Sequence, residues 1–209
     1  YEGSTSGDNI WGEAKSSAAL SAFYRFMFDS EDARRDYLNG LWGYLYNGEP
    51  TISVSYTVYN NKWSKLWSTS GNPESAGNTG INFPYMRYTD VLLMYAEAAN
   101  ELSDGPTDAA KAALRQVRQR AFTNSEKIDP YIESMSGSKE DFLKAVLDER
   151  KFEFAGENMR WKDLVRNNLL AENTYYNFLR YLVCGENGAG QSEYQEMVEE
   201  YDGMPGYLD

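Results

Sequence analysis

The chain has 209 residues, with 32 acidic against 20 basic side chains, a formal net charge of −12, no histidine and one cysteine. That length suits one domain or a tight pair, with a sizeable core, and the acidic balance argues against a nucleic-acid backbone binder or a polybasic membrane anchor. Without histidine there is no Ser-His-Asp or Cys-His catalysis and no imidazole metal site, and a lone cysteine excludes an intrachain disulfide or a Cys-based zinc site.

Hydrophobic residues make up 42% and aromatic residues 15% of the chain, with 17 Tyr, 9 Phe and 5 Trp, so a folded core is expected. No apolar run approaches the roughly 18–20 residues of a membrane-spanning helix. Residues 1–16 read as a Gly/Ser/Asn loop holding Trp11. Leu20, Phe23, Tyr24 and Met27 then fall at i, i+3, i+4, i+7, which predicts a helix over 17–28. Ser30 is the expected N-cap of a short helix from Glu31 to Leu38, with Asp32, Arg34 and Arg35 at solvent or salt-bridge positions. Gly40, Gly43, Asn47, Gly48 and Pro50 break the chain around Trp42, Tyr44 and Tyr46. From Thr51 to Tyr59 the apolar period becomes two (Ile52, Val54, Tyr56, Val58), the pattern of a half-buried strand. Residues 68–82 form a long Gly/Ser/Asn loop.

From Phe83 the pattern is helical. Arg87 to Ser103 places Val91, Leu92, Tyr95, Ala96, Ala99 and Leu102 on one face, predicted to point inward. Asp104-Gly105-Pro106 ends that helix, and Thr107 caps a second through Ala121, with Ala110, Leu114, Val117 and Ala121 inward. So short a turn requires antiparallel packing, and one hairpin cannot bury both its faces, so further helices should stack beside it. Residues 123–137 read as loop. Ser138 with Asp141 three residues on is a capping-box start for a helix to Phe154, with Gly156 as its stop. A shorter helix follows from Met159 to Leu170, and an apolar one from Tyr175 to Val183, where Cys184 reads as a buried thiol. Gly185 to Gly190 is a linker and Glu193 to Tyr201 a small acidic helix; beyond Arg180 there are seven acidic residues and no basic one.

Three segments, in order, carry a resemblance. They are Arg87-Tyr88-Thr89-Asp90-Val91-Leu92-Leu93-Met94-Tyr95-Ala96-Glu97-Ala98, then Ala112 to Ala121 with its Val117-Arg118-Gln119-Arg120-Ala121, then Glu149 to Arg166 with its Arg160-Trp161-Lys162-Asp163-Leu164. Together with Phe23 to Phe28 and Asp29 to Arg35, they resemble the C-terminal half of SusD/RagB-type nutrient-uptake lipoproteins over about residues 20–170. Phe122 stands where that family usually has Gly. The resemblance implies a mainly α fold of tetratricopeptide-like helical hairpins with a small irregular loop and strand region. It also implies one domain over 1–209, with a loop-rich, ligand-facing region at 1–82 and helical core motifs at 83–170; the charge distribution adds an acidic C-terminal appendage at 171–209, outside the family-like motifs. By the same resemblance the chain is expected to be part of a longer, lipid-anchored protein of the bacterial outer-membrane surface. That protein would bind an oligosaccharide or similar nutrient without catalysis, need no cofactor or metal, and hand the ligand to a partner TonB-dependent transporter. Its membrane attachment would come only through a lipid outside this sequence.

Among the motif residues, Arg87, Glu97, Arg118, Arg120, Glu149, Arg150, Arg160 and Asp163 are charges set among apolar helix positions, and are expected to be structural ion pairs. Trp161 is expected to be a core anchor. Ligand contact is sought instead on the loops, because a pyranose ring offers an apolar C–H face and a rim of hydroxyls that suit an aromatic ring beside Asn or Asp. Trp11 with Asn9, then Trp42, Tyr44, Tyr46 and Trp67, fit that description. A helical-repeat protein–protein scaffold, with these aromatics in its core, is the alternative. A glycan-cleaving enzyme is the third reading, for which the sequence offers no constellation.

Overall fold

The computed structural model describes residues 19–20, 24, 27–40, 42–44, 50–52, 58–60, 62, 84–122 and 124–184, and the chain divides into two compact units, Tyr1–Met159 and Arg160–Asp209. The expected loops at 1–16 and 68–82, the linker after Cys184, the Cys184 side chain and the acidic helix from Glu193 lie outside the described residues. What is described is mainly α, as the helical periodicity requires.

The first unit begins with short strands. Strand β1 (Ala19–Leu20) pairs antiparallel with β5 (Val58–Asn60), Leu20 opposite Val58, and β2 (Asn39–Gly40) pairs on the other side of β5. A separate two-stranded sheet joins β3 (Trp42–Tyr44) to β4 (Pro50–Ile52). Two expectations are corrected here. The helix predicted over 17–28 is a paired strand at Ala19–Leu20, where non-local pairing overrides the helical stripe, and is helical at Tyr24 as expected; residues 17–18, 21–23 and 25–26 lie outside the described residues. The strand read from Thr51 to Tyr59 has its two ends in different sheets.

Helix α1 runs from Arg34 to Leu38, three residues later than expected, and Ser30 does not cap it. The side chains of Asp29 and Asp32 accept hydrogen bonds from the amides of Glu31 and Arg34, at 2.9 and 3.0 Å. These local turns compete with helix formation and hold the chain back from it.

The body is built from α2 (Tyr88–Leu102), α3 (Asp108–Ala121), α4 (Ile128–Ser134) and α5 (Lys139–Glu153). Thr107 caps α3 by accepting the Ala110 amide at 3.1 Å, and Ser138 caps α5 by accepting the Asp141 amide at 3.0 Å. Between α2 and α3, Asp104 has φ 52° and Gly105 φ 154°, and the Gly105 amide reaches back to the Asn100 carbonyl at 3.0 Å. The core gathers Leu93 and Ala96 from α2, Ala110, Ala113, Leu114, Val117 and Ala121 from α3, Ile128 and Ile132 from α4, and Phe142, Ala145 and Val146 from α5. Alanines at the α2–α3 contact let the backbones approach closely.

Residues 123–137, expected as loop, contain a 3-10 turn (Ser125–Lys127) and α4. Pro130 sits in the first turn of α4, where a missing amide costs little, and Ile128 and Ile132 bury one face. The inward face of α2 is also corrected: Thr89, Asp90, Leu93, Ala96 and Asn100 are buried, whereas Val91, Tyr95 and Leu102 are exposed and Leu92 and Ala99 half-buried.

In the second unit, α6 (Arg160–Arg166) is followed by α7 (Leu170–Cys184), longer than its apolar segment suggested. Asn168 makes the turn between them at φ 57°, with the Leu169 amide bonded to the Leu164 carbonyl at 2.8 Å. Trp161 is 63% exposed, so the expectation of a core anchor is not met; Asp163 and Leu164 are the buried side chains of α6.

Candidate functional site

Helix α5 carries Glu149 and Glu153, and Glu157 follows in the turn after it, so the three carboxylates recur every fourth residue along one line. All three are buried. Isolated carboxylates do not survive in an apolar interior, so cations must converge on them.

Arg118 of α3 donates to Glu149 at 2.8 Å, and Arg34 of α1 donates to the other Glu149 oxygen at 2.7 Å and to Glu153 at 3.2 Å. Arg34 is itself held by Asp32, through Nη2 at 2.7 Å and Nε at 2.9 Å. Arg87, just before α2, grips Glu157 with two parallel bonds of 3.0 and 2.8 Å and reaches Glu153 at 2.7 Å. Arg120 pairs with Glu153, and Lys62 with Glu157 and the Glu153 carbonyl. Beside this line, Arg150 donates to the buried Asp90 of α2 at 2.7 Å. Aromatic faces close the gaps: Arg118 lies 3.8 Å from the Tyr131 ring centre and 4.7 Å from that of Phe122, and Arg87 and Arg150 flank Phe154.

Protonation follows from these contacts. Burial tends to raise the Glu153 carboxyl, but hydrogen bonds from Arg120 and Arg87 outweigh it and hold its pKa at about 2. Burial also lowers Arg34, yet Glu149 and Asp32 more than offset that and its pKa is raised. Lys62 is lowered by burial, which Glu157 only partly counters. Burial pushes the Tyr131 hydroxyl up to about 12. A carboxyl held near 2 stays ionised at any working pH and is no proton donor, so Glu153 cannot serve as the general acid of glycoside cleavage. Among the described residues no group of three or more Asp, Glu or Cys side chains is placed to hold a metal, and no helix is long and apolar enough to cross a membrane.

The pairs tie the strand region to the helices. Tyr24 donates its hydroxyl to the Lys151 carbonyl at 2.8 Å, and its ring meets Phe28, which in turn packs against Phe152 at 4.5 Å. Asn60, at the end of β5, is fully buried against Gly156, where φ is +73° and a Cβ would lie 1.7 Å from the amide nitrogen. Phe122 is buried and bridges in antiparallel fashion to Asp32, while the Ala33 amide bonds to the Ala121 carbonyl at 2.9 Å.

Of the other charges singled out in the sequence, Arg160 donates to Asn173 at 3.1 Å, Asp163 accepts from Arg166 at 3.0 Å and Glu97 is half-buried on α2. Of the proposed ligand-contacting residues, Trp42 and Tyr44 stand in β3 opposite Ile52 and Pro50. Asn9, Trp11, Tyr46 and Trp67 lie outside the described residues. Sequence reasoning passed over Lys62, Glu153, Glu157 and Asn60. The four-residue spacing of Glu149, Glu153 and Glu157 was the available signal for two of them, while Lys62 and Asn60 reach the site only through the tertiary fold.

The described structure is a mainly α body cross-braced by buried ion pairs and tied to the end of β5 through Asn60 and Lys62. The sequence profile of the SusD family matches residues 10–204, and the chain belongs to that family. It is similar to SusD-like protein P2 of Formosa agariphila, 37% identical over 98 residues, which are 45% of this chain and 19% of that protein. It is also similar to SusD-like protein P25 of the same organism, 35% identical over 110 residues, 52% of this chain and 20% of that protein. The match therefore spans only a fifth or less of those relatives. Among solved structures, a SusD homolog from Bacteroides thetaiotaomicron superposes with a TM-score of 0.68 at 23% identity, covering 85% of this chain and 38% of that one. A SusD superfamily protein from Parabacteroides distasonis gives 0.60 at 23% identity, covering 78% of this chain and 34% of that one.

Proposed function

We propose that this chain belongs to a non-catalytic nutrient-binding protein of the bacterial outer-membrane surface, which captures an oligosaccharide or similar nutrient and delivers it to a TonB-dependent transporter. Family membership over residues 10–204 is the observation that carries this reading. The hairpin of α2 and α3 is taken as tetratricopeptide-like, and surface attachment as a lipid outside this sequence. The ion pairs support a holding role, because they keep the helices and β5 in one arrangement and engage Glu149, Glu153 and Glu157. Ligand contact is assigned to aromatic residues singled out in the sequence, by stacking of sugar rings on Trp42, Tyr44, Trp11, Tyr46 and Trp67, with Asn9 giving orienting hydrogen bonds.

Calorimetric titration of the protein against a panel of soluble glycans tests the assignment. Binding of at least one glycan is expected, weakened about tenfold by Trp42→Ala, the equivalent of about 1.4 kcal/mol. No saccharide affinity, with the tryptophan changes inert, would favour the helical-repeat scaffold. Turnover of a glycan, abolished by a single carboxylate change, would overturn the non-catalytic reading.

A further inference from the structure

Helix α6 reads Arg160-Trp161-Lys162-Asp163-Leu164-Val165-Arg166, and its residues sort cleanly by face. At roughly 100° per residue, Trp161, Lys162, Val165 and Arg166 fall within about 140° of the circumference, and all four are exposed. The others turn the opposite way: Asp163 and Leu164 are buried, and Arg160 donates to Asn173 of α7. The outer side is therefore two adjoining rows, an apolar one of Trp161 and Val165 and a basic one of Lys162 and Arg166. At 63% exposure, Trp161 leaves much of a large ring in solvent, unusual for a residue that is highly buried on average. Among the described residues nothing stacks on that ring or accepts from its indole N–H, and Lys162 makes no ion pair or hydrogen bond. Arg166 is exposed yet held in place by the buried Asp163 at 3.0 Å. Helices α6 and α7 carry Arg160, Lys162, Arg166 and Arg180 against Asp163 and Glu172, a net of +2 in a chain of −12. Distant acidic groups are screened beyond roughly 8 Å at physiological ionic strength, so the local sign decides what approaches this face.

We propose that the outer side of α6 is a binding site for an anionic saccharide unit, a sugar ring bearing a carboxylate or a sulfate, with Trp161 stacking on its C–H face and Lys162 and Arg166 engaging the acid group. The inference rests on the reading of the protein as a glycan binder and narrows the class of glycan. One indole matches a single pyranose ring, and its N–H can donate to a ring hydroxyl. Two apolar side chains, by contrast, fall well short of the roughly 800 Å² that a stable protein interface buries on each partner. A unit within a longer polymer needs no enclosing cleft, since the rest of that polymer stays in solvent. Charge-assisted bonds from Lys or Arg to a carboxylate or sulfate are stronger than neutral ones. Because Asp163 already fixes Arg166, little side-chain freedom is lost when the acid group arrives. A neutral sugar would use the ring and leave both cations idle.

The test titrates the full-length protein with two matched pairs of polymers, polygalacturonate with its methyl-esterified form and dextran sulfate with dextran. The first pair isolates a carboxylate and the second a sulfate. At least one anionic polymer should bind about tenfold more tightly than its neutral counterpart. Trp161→Ala should weaken that binding about tenfold and Lys162→Gln about fivefold, with the melting temperature unchanged because both side chains face solvent. Lys162→Gln should leave any affinity for a neutral glycan as it was. If neither anionic polymer outbinds its neutral counterpart, or if either variant leaves anionic binding intact, the site is overturned. The glycan-binding reading still stands in that case if a neutral glycan binds, and falls as well if no saccharide binds at all. Loss of transporter binding in Trp161→Ala with glycan affinity intact would assign the patch to protein contact and equally overturn the site.

Discussion

Helices α2 and α5 have the same length and lie in the same body, yet they break the inside-outside rule in opposite directions. Helix α5 buries charge: Glu149, Arg150 and Glu153 are all sequestered, each with partners from other elements. Helix α2 does the reverse, burying Asp90 and Asn100 while exposing Val91, Met94, Tyr95 and Leu102. The difference teaches that residue type sets the cost of a position, and the partners available across the fold set which cost is met. A buried carboxylate is tolerable once arginines surround it, whereas an apolar side chain left at the surface costs comparatively little.

The largest expected break in this comparison comes from Glu153→Ala. It removes the carboxylate shared by Arg34, Arg87 and Arg120 and leaves buried cations uncompensated, so chemical denaturation should show a loss of roughly 3–5 kcal/mol. Acid probes the same group. Its folded pKa of about 2 lies below the ordinary 4.5, so between those values the unfolded chain binds more protons than the folded one. The contribution of Glu153 is therefore fully present above about pH 4.5 and is lost as pH falls to about 2, on the order of 3 kcal/mol at most. Unfolding midpoints measured across that window should fall with acid, and Glu153→Gln should flatten that slope.

Gly156→Ala comes next. A methyl there runs into the Asn60 side chain and must adopt a left-handed backbone, so a loss of about 1–3 kcal/mol is expected in thermal unfolding. Adding Asn60→Gly should recover part of that loss, and no recovery would mean that the backbone strain alone is responsible. Ser138→Ala should cost about 1 kcal/mol by removing the cap of α5, measured by urea unfolding. The smallest effect is expected at Arg115, whose pair with Asp129 at 2.7 Å is as short as the buried ones but open to water. Arg115→Ala should leave the melting temperature unchanged, and a marked drop would mean that ion-pair distance, not burial, governs these contributions.

Much of the helical body was legible in the sequence. The caps at Thr107 and Ser138 and the inward set Ala110, Leu114, Val117 and Ala121 follow from local rules, because a cap and a 3.6-residue stripe are properties of one segment. Helix α4 was hidden because it is only seven residues long and its inward face is the single pair Ile128 and Ile132, too little for a periodic signal. The strand at Ala19–Leu20 was hidden because its partner is β5, almost forty residues further on. Of the proposed ligand residues, the strand placing Trp42 and Tyr44 depends on β4, and neither sequence period nor composition reveals that pairing.

By itself, then, the acidic sequence without histidine determined the absence of imidazole chemistry within these 209 residues, the mainly helical class and the caps at Thr107 and Ser138, all of which depend on residue identity or on neighbours within a turn or two. Only the tertiary structure decided which face of α2 lies inside, which cations meet Glu149, Glu153 and Glu157, and that Asn60 rests on Gly156. Those outcomes depend on contacts between residues tens of positions apart, and local periodicity carries no information about which distant segment arrives to make them.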